Sequence, residues 1–176
     1  PCSRIVALAH VDQDVEQRTA GRKRREAFRP GPGARTPEGL TCAAMTGAFD
    51  LSRHPVHLGL GARAAVEPAF DGTMDWYAGY GARHASDGVE GRLVSMHTFE
   101  QAWDIWEMHP EGEELVVCVS GRLTLVQEVD GATREIVLEP GWAAVNGAGV
   151  WHTADVDRPT TALFITAGAG TQHRPR

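Results

Sequence analysis

Two acidic residues and a histidine stand close together in the middle of the chain, at Glu107, His109 and Glu114. Alternate residues of a β-strand point to the same face, so Glu107 and His109 share one face. Glu114 opens an apolar run, residues 114–119, that is typical of a buried strand. If the two faces meet inside a barrel, two carboxylates and an imidazole converge, which is how a protein builds a metal site.

A fourth candidate ligand lies further along the chain. Residues 141–153 read as a strand, a Gly-rich turn and a second strand that His152 opens. Glu107, His109, Glu114 and His152 then form a set of two imidazoles and two carboxylates. Such donors suit Fe(II), Mn(II), Zn(II) or Ni(II), so we expect a divalent metal ion as cofactor. If Glu107 leaves the ion, it becomes a candidate catalytic residue, placed as a general base.

These residues resemble the two sequence motifs of the cupin superfamily. The matching positions are His109, Glu114 and Gly121 in the first motif and Gly141, Gly149 and His152 in the second. The likeness covers roughly residues 92–166. It implies an all-β fold, an antiparallel jelly-roll β-barrel, and an oxygenase or isomerase-type enzyme that acts on a small, oxygen-rich molecule.

Three positions depart from the cupin motifs. Glu107 stands where the first motif has its first histidine, Gly147 replaces a proline, and Val156 replaces an asparagine. Glutamate can still ligate a metal ion. Glu107 in place of histidine therefore makes the donor set harder, in the sense of hard and soft ligands, and does not by itself remove the site. Two functions stay open: a metal-dependent dioxygenase or isomerase, and a non-catalytic cupin that binds or senses a small molecule without metal.

Residues near the proposed ligands are candidates for the walls of a substrate pocket. The four candidates are His97, Trp103, Cys118 and Trp151. Cys118 shares a face with Glu114, although packing explains a buried thiol equally simply. Large apolar side chains occupy both faces of residues 103–119, and cupins commonly dimerise through the outer face of one sheet. We therefore expect a homodimer.

The chain of 176 residues carries a net charge of −6 that is unevenly distributed. Residues 1–44 hold eight basic and five acidic residues, among them the run Arg22–Arg25, while residues 45–176 are strongly acidic. An acidic domain is a poor match for nucleic-acid phosphates, so we expect no nucleic-acid partner. No apolar run approaches 18 residues, which disfavours a membrane partner. Three cysteines make no disulfide framework, and we expect a cytoplasmic protein.

Composition and turn signals divide the chain into four parts. We expect a basic, Pro/Gly-rich disordered tail over 1–44, strands and loops over 45–91, the barrel over 92–166, and a short polar tail over 167–176. Within the second part, aromatic residues 76–80 read as a linker and residues 81–91 as a loop. Regular turns without a βαβ rhythm favour an antiparallel barrel.

Overall fold

The structure is a computed structural model that describes residues 47–176. Eleven strands form most of it: β1 (Val56–Gly59), β2 (Arg63–Val66), β3 (Arg92–Phe99), β4 (Ile105–Met108), β5 (Glu114–Ser120), β6 (Leu123–Val129), β7 (Ala132–Leu138), β8 (Ala143–Asn146), β9 (His152–Val156), β10 (Thr160–Thr166) and β11 (Gln172–Pro175). One α-helix, α1 (Met74–His84), and a 3-10 helix (Ala85–Glu90) separate β2 from β3. The predicted tail over 1–44 lies outside the described residues.

The strands make two antiparallel sheets. The first has the order β2-β1-β3-β10-β5-β8, and the second the order β11-β4-β9-β6-β7. Because β5 and β6 are consecutive in sequence but lie in different sheets, the chain crosses repeatedly between layers, as in a jelly roll. The predicted all-β antiparallel jelly-roll fold is confirmed.

The core lies between the inner faces of the two sheets. Alternate residues of β5, β6 and β10 are buried, as the period of a strand requires. The buried cluster comprises Phe99, Trp103, Val116, Cys118, Leu123, Leu125, Leu138, Ala154, Ala162 and Phe164. The link between β5 and β6 needs glycine, because Gly121 has a φ of 84° and a Cβ there would overlap Thr160.

The prediction of a linker and loop over residues 76–91 is wrong, because α1 occupies most of this segment. Thr73 Oγ1 accepts a hydrogen bond from the backbone N–H of Trp76 at 3.3 Å and so caps the helix. Asp75 in the first turn and Arg83 in the last complement the helix dipole. Gly79 and Gly81 lower the helix propensity of the segment, so the local sequence does not predict a helix there.

The predicted polar tail over 167–176 contains β11, which pairs with β4 at the edge of the second sheet. The strand that carries Glu107, β4, is short and ends at Met108, so His109 lies just beyond it. Neither helix in residues 47–176 has the length and apolar character needed to cross a bilayer.

Candidate metal centre

Glu107, His109, Glu114 and His152, which we call the barrel cluster, come together between the two sheets. Glu107 on β4 pairs directly with His152 at the start of β9. His109 follows β4, and its carbonyl oxygen accepts from Gly149 N–H at 2.9 Å, which joins it to the turn before β9. All four side chains are buried, with exposed fractions of 8% for Glu107, 1% for His109, 3% for Glu114 and 0% for His152.

The tautomer of His109 follows from its hydrogen bonds. Thr171 Oγ1 donates its only hydrogen to Gly168 O at 2.9 Å. At the 2.8 Å contact between His109 Nδ1 and Thr171 Oγ1, the imidazole is therefore the donor. A neutral His109 thus carries its proton on Nδ1 and leaves the lone pair on Nε2 free.

His152 is held in the same tautomer by a backbone carbonyl. Its Nδ1 lies 3.1 Å from Val150 O, which only accepts, so Nδ1 carries the proton. The Nε2 atoms of His109 and His152 are both buried and make no hydrogen bond within residues 47–176. Two bare imidazole nitrogens with outward hydrogen bonds on Nδ1 are the usual arrangement of histidine metal ligands.

Glu114 lies between these two nitrogens. Its Oε1 is 3.4 Å from His109 Nε2, and its Oε2 is 3.2 Å from His152 Nε2. Both separations are long for charge-assisted hydrogen bonds, which are 2.7–2.9 Å. Thr166 Oγ1 donates to Oε1 at 2.6 Å and Asn146 Nδ2 donates to Oε2 at 3.0 Å, so the carboxylate is fixed from the side away from the histidines.

The electrostatics of the cluster favour a carboxylate facing a cation. Burial acts to raise the pKa of Glu114, but the adjacent imidazoles outweigh it and hold this pKa well below its usual range. Burial acts to lower the pKa of His152, yet contact with Glu114 and the charge of Glu107 raise it. In the metal-free protein a proton on His152 is thus the competitor of a metal ion.

Glu107 completes a group with both histidines, since each of the three offers a ligand atom within 4.8 Å of the others. Its Oε1 lies 4.0 Å from His109 Nε2 and accepts from His173 Nε2 at 3.3 Å. The cluster therefore contains the four predicted residues, with the donor types of a divalent metal site.

Sequence reasoning missed His173 and Thr171, which contact Glu107 and His109. Both belong to the segment around β11 that was predicted to be a tail. The only local signal is the alternation that gives them one face, and their partner strand lies more than 60 residues earlier.

The four predicted pocket residues have different surroundings. Trp103 is buried, its ring centroid is 6.4 Å from that of His152, and its Nε1 has no hydrogen-bond partner in residues 47–176. Cys118 faces inward but packs in the hydrophobic core, where burial raises the pKa of its thiol. The prediction for Trp151 is wrong: Arg174 covers its ring at 4.4 Å on the outer side of the second sheet. His97 lies on β3 among the rings of Phe70, Phe99 and Phe164.

An aromatic wall runs from α1 towards the barrel cluster. It consists of Phe70, Tyr77, His97, Phe99, Trp103 and Phe164, whose adjacent rings have centroids 5.4–6.4 Å apart. Burial lowers the pKa of His97, against the opposing charge of Glu107. Burial and the charges of Glu107 and Glu114 raise the pKa of Tyr77, so its phenol stays neutral.

A second histidine group, the helix cluster, joins β1 to α1 and consists of His57, Glu67, His84 and Asp87. His57 is bonded through both nitrogens, at 2.8 Å each, to Tyr80 Oη and Asp87 Oδ2. The rings of His57 and His84 stack at 3.6 Å and 15°. The lone pairs of two stacked imidazole rings lie in two separate parallel planes. The two rings therefore cannot easily coordinate the same ion.

No protein-family model matches the chain, and no curated protein matches it. Solved structures are similar in fold. A cupin-2 domain protein from Shewanella frigidimarina is 20% identical over 48% of this chain and 71% of its own, with a TM-score of 0.37. A hydroquinone 1,2-dioxygenase from Sphingomonas is 17% identical over 46% and 67%, with a TM-score of 0.36.

A Bacillus subtilis oxalate decarboxylase variant is 16% identical over 54% of this chain and 26% of its own, with a TM-score of 0.42. Cupins, whose sequence motifs the chain resembles, are among these solved structures. The likeness concerns the fold alone, and the activities named belong to those proteins.

Proposed function

We propose that the barrel cluster binds one divalent metal ion and that the protein is a metal-dependent enzyme acting on a small molecule, of the oxygenase or isomerase type. One observation supports this above the others. The Nε2 atoms of His109 and His152 are fully buried, lack hydrogen-bond partners within residues 47–176, and face the carboxylate of Glu114. A buried lone pair opposite a carboxylate is costly unless a cation lies between them.

His109, His152 and Glu114 would hold the ion, with Glu107 as the fourth ligand. A bound divalent ion would supply Lewis-acid polarisation of a substrate oxygen. Thr166 and Asn146 fix the carboxylate of Glu114, which keeps it available to the ion in a single orientation. That fixation contributes preorganisation rather than a chemical step.

If Glu107 leaves the ion, it is the residue placed to move a proton. Unlike Glu114, it has one hydrogen-bond partner within residues 47–176, His173, so it is less constrained. The side chain of His173 is 15% exposed, against 10% for Glu107. Once Glu107 is protonated, His173 in its Nδ1–H tautomer can accept that proton at Nε2 and, as the more exposed of the two side chains, release the Nδ1 proton to solvent.

The alternative is a non-catalytic, metal-free module that binds a small molecule. The raised pKa of His152 favours it, because a protonated His152 forms an ion pair with Glu114 without any metal. A proton on His152 leaves the lone pair of His109 unsatisfied, however, whereas one metal ion satisfies both nitrogens.

Metal content separates the two functions. Untagged wild-type protein and the His109→Ala/His152→Ala variant would be loaded anaerobically with Fe(II), Mn(II), Zn(II) or Ni(II), desalted, and measured by inductively coupled plasma mass spectrometry. We expect near-stoichiometric metal in the wild type and none in the double variant. Equal metal in both, or none in either, would refute the metal site and leave the ligand-binding module.

We also propose a homodimer formed through the outer face of the first sheet. This face is apolar across four strands, and its residues include Val94, Leu115, Val117, Val145, Leu163 and Ile165. Val145 is 50% exposed, and Trp142 in the preceding turn is 66% exposed. Light scattering on a sizing column should give twice the chain mass for the wild type and one chain mass for Leu163→Glu. A monomeric wild type would contradict the proposal.

A further inference from the structure

Three polar groups of the aromatic wall have no hydrogen-bond partner among residues 47–176. His97 and Tyr77 make no hydrogen bond within residues 47–176, and both are only half-buried, so they border accessible space. The indole N–H of Trp103 is buried and equally unpaired, and Trp103 is 4% exposed. Buried donors in native proteins nearly always have a partner, whether protein, water or ligand.

The unpaired groups occur among rings rather than among charges. His97 has Phe70 at 5.5 Å, Phe164 at 6.2 Å and Phe99 at 6.4 Å between ring centroids, and the ring of Trp103 reaches His152. Aromatic rings on several sides offer a flat, unsaturated molecule stacked and edge contacts. A bulky saturated ligand gains less from such walls.

Positive charge is absent from this end of the described barrel. Glu107 and Glu114 form ion pairs only with histidines among residues 47–176, and the single lysine, Lys23, lies outside that range. Seven of the nine arginines there bond acceptors elsewhere, and the other two, Arg53 and Arg134, are exposed. Two carboxylates already balance a divalent ion, so an anionic ligand finds no further cation.

We infer that the site selects a small, uncharged, planar molecule with an aromatic or conjugated ring and hydroxyl or carbonyl oxygens, and that Tyr77 and His97 are its specificity-determining residues. One oxygen of the ring faces the barrel cluster, and a neighbouring oxygen bonds Tyr77 and His97. The inference rests on the proposed function for the metal end of the site, and it disfavours small dicarboxylates as ligands.

Calorimetric titration of the Zn(II)-loaded protein tests this selection with three probes: catechol, benzoate and oxalate. Catechol should bind at least tenfold more tightly than either anion. Tyr77→Phe and His97→Phe should each weaken catechol about tenfold, the effect of one lost hydrogen bond in a buried site. Tyr80→Phe is the matched control, because Tyr80 is on the same helix but bonds His57, and it should leave catechol affinity unchanged.

The outcomes separate this inference from the proposed function. Oxalate or benzoate binding as tightly as catechol overturns the inference, as does a Tyr77→Phe/His97→Phe protein that melts like the wild type and binds catechol equally well. If metal is taken up in either case, the proposed function stands. If no metal is taken up but metal-free protein binds catechol in a Tyr77-dependent manner, the metal site fails and the selection stands.

Discussion

Two groups of histidines and carboxylates within this small domain differ first in the state of their imidazole nitrogens. In the helix cluster both nitrogens of His57 are bonded, one to Tyr80 and one to Asp87. In the barrel cluster the Nε2 atoms of His109 and His152 are buried without partners among residues 47–176. The same residue types thus make a nearly closed network in the helix cluster, where only His84 Nδ1 is buried without a partner among the described residues, and an open set of candidate ligands in the barrel cluster.

The carboxylates of the two groups differ in the same sense. Asp87 bonds Arg63, and Glu67 bonds Arg83, so the helix cluster brings its own cations. No arginine of the described residues reaches Glu107 or Glu114. Side-chain proximity alone does not identify a metal site, since both groups place histidines and a carboxylate within 4.8 Å. What distinguishes them is which polar atoms remain unsatisfied.

The largest effect should come from removing the centre of the helix cluster. His57→Ala leaves a void and deprives Asp87 and Tyr80 of their partner, so the free energy of unfolding should fall by about 2–4 kcal/mol. Urea unfolding measures this, and metal content should stay at the wild-type level. A folded His57→Ala protein without metal would show that the helix cluster participates in metal binding.

A smaller effect should follow from changing the neighbour of a ligand. His173→Gln removes the imidazole that bonds Glu107 at 3.3 Å, so metal affinity should fall about tenfold, at the lower end of such effects. Competition with a chromophoric chelator measures the affinity. His84→Gln, in the helix cluster, is the control. Equal losses in both variants would erase the distinction between the two groups.

The smallest effect should appear in acid. The hydrogen bond from His57 and the charge of Arg63 lower the pKa of Asp87 below its ordinary value. A lowered folded-state pKa stabilises the protein above about pH 4, and this contribution disappears as pH falls through the folded value. The stability gap between wild type and Asp87→Asn, followed by thermal melts from pH 6 to 2, should therefore narrow only below about pH 4. A gap that closes by pH 6 would indicate another titrating group.

Much of the fold was predictable because strand alternation is local. The apolar run predicted as a buried strand over residues 114–119 is β5, and the strand predicted to open at His152 is β9. The helix was not predictable by the same reasoning, since Gly79 and Gly81 interrupt its pattern.

The part of the candidate site that depends on the alternation of side chains along a strand was predictable. Glu107, His109, Glu114 and His152 were grouped by strand faces and motif spacing, and the structure brings them together. The contribution of His173 was not predicted, because it depends on the pairing of β11 with β4. The sequence of neither strand alone determines the register of that pairing. Trp151 was named as a pocket residue although it directly precedes His152, and adjacent residues of a strand point to opposite faces; Arg174 accordingly covers its ring on the outer side.

The candidate metal centre depends on the register with which the edge strand β11 pairs with β4. His173 lies opposite Glu107, while the next residue, Arg174, lies on the outer face between Trp106 and Trp151 and pairs with Glu128. A slip of one residue would exchange the two and put a permanent guanidinium charge beside the candidate ligands, where it would repel a dication. The contacts of Arg174 with Trp106 and Trp151 therefore stabilise the native register of β11. In this register no guanidinium group lies beside the candidate metal ligands.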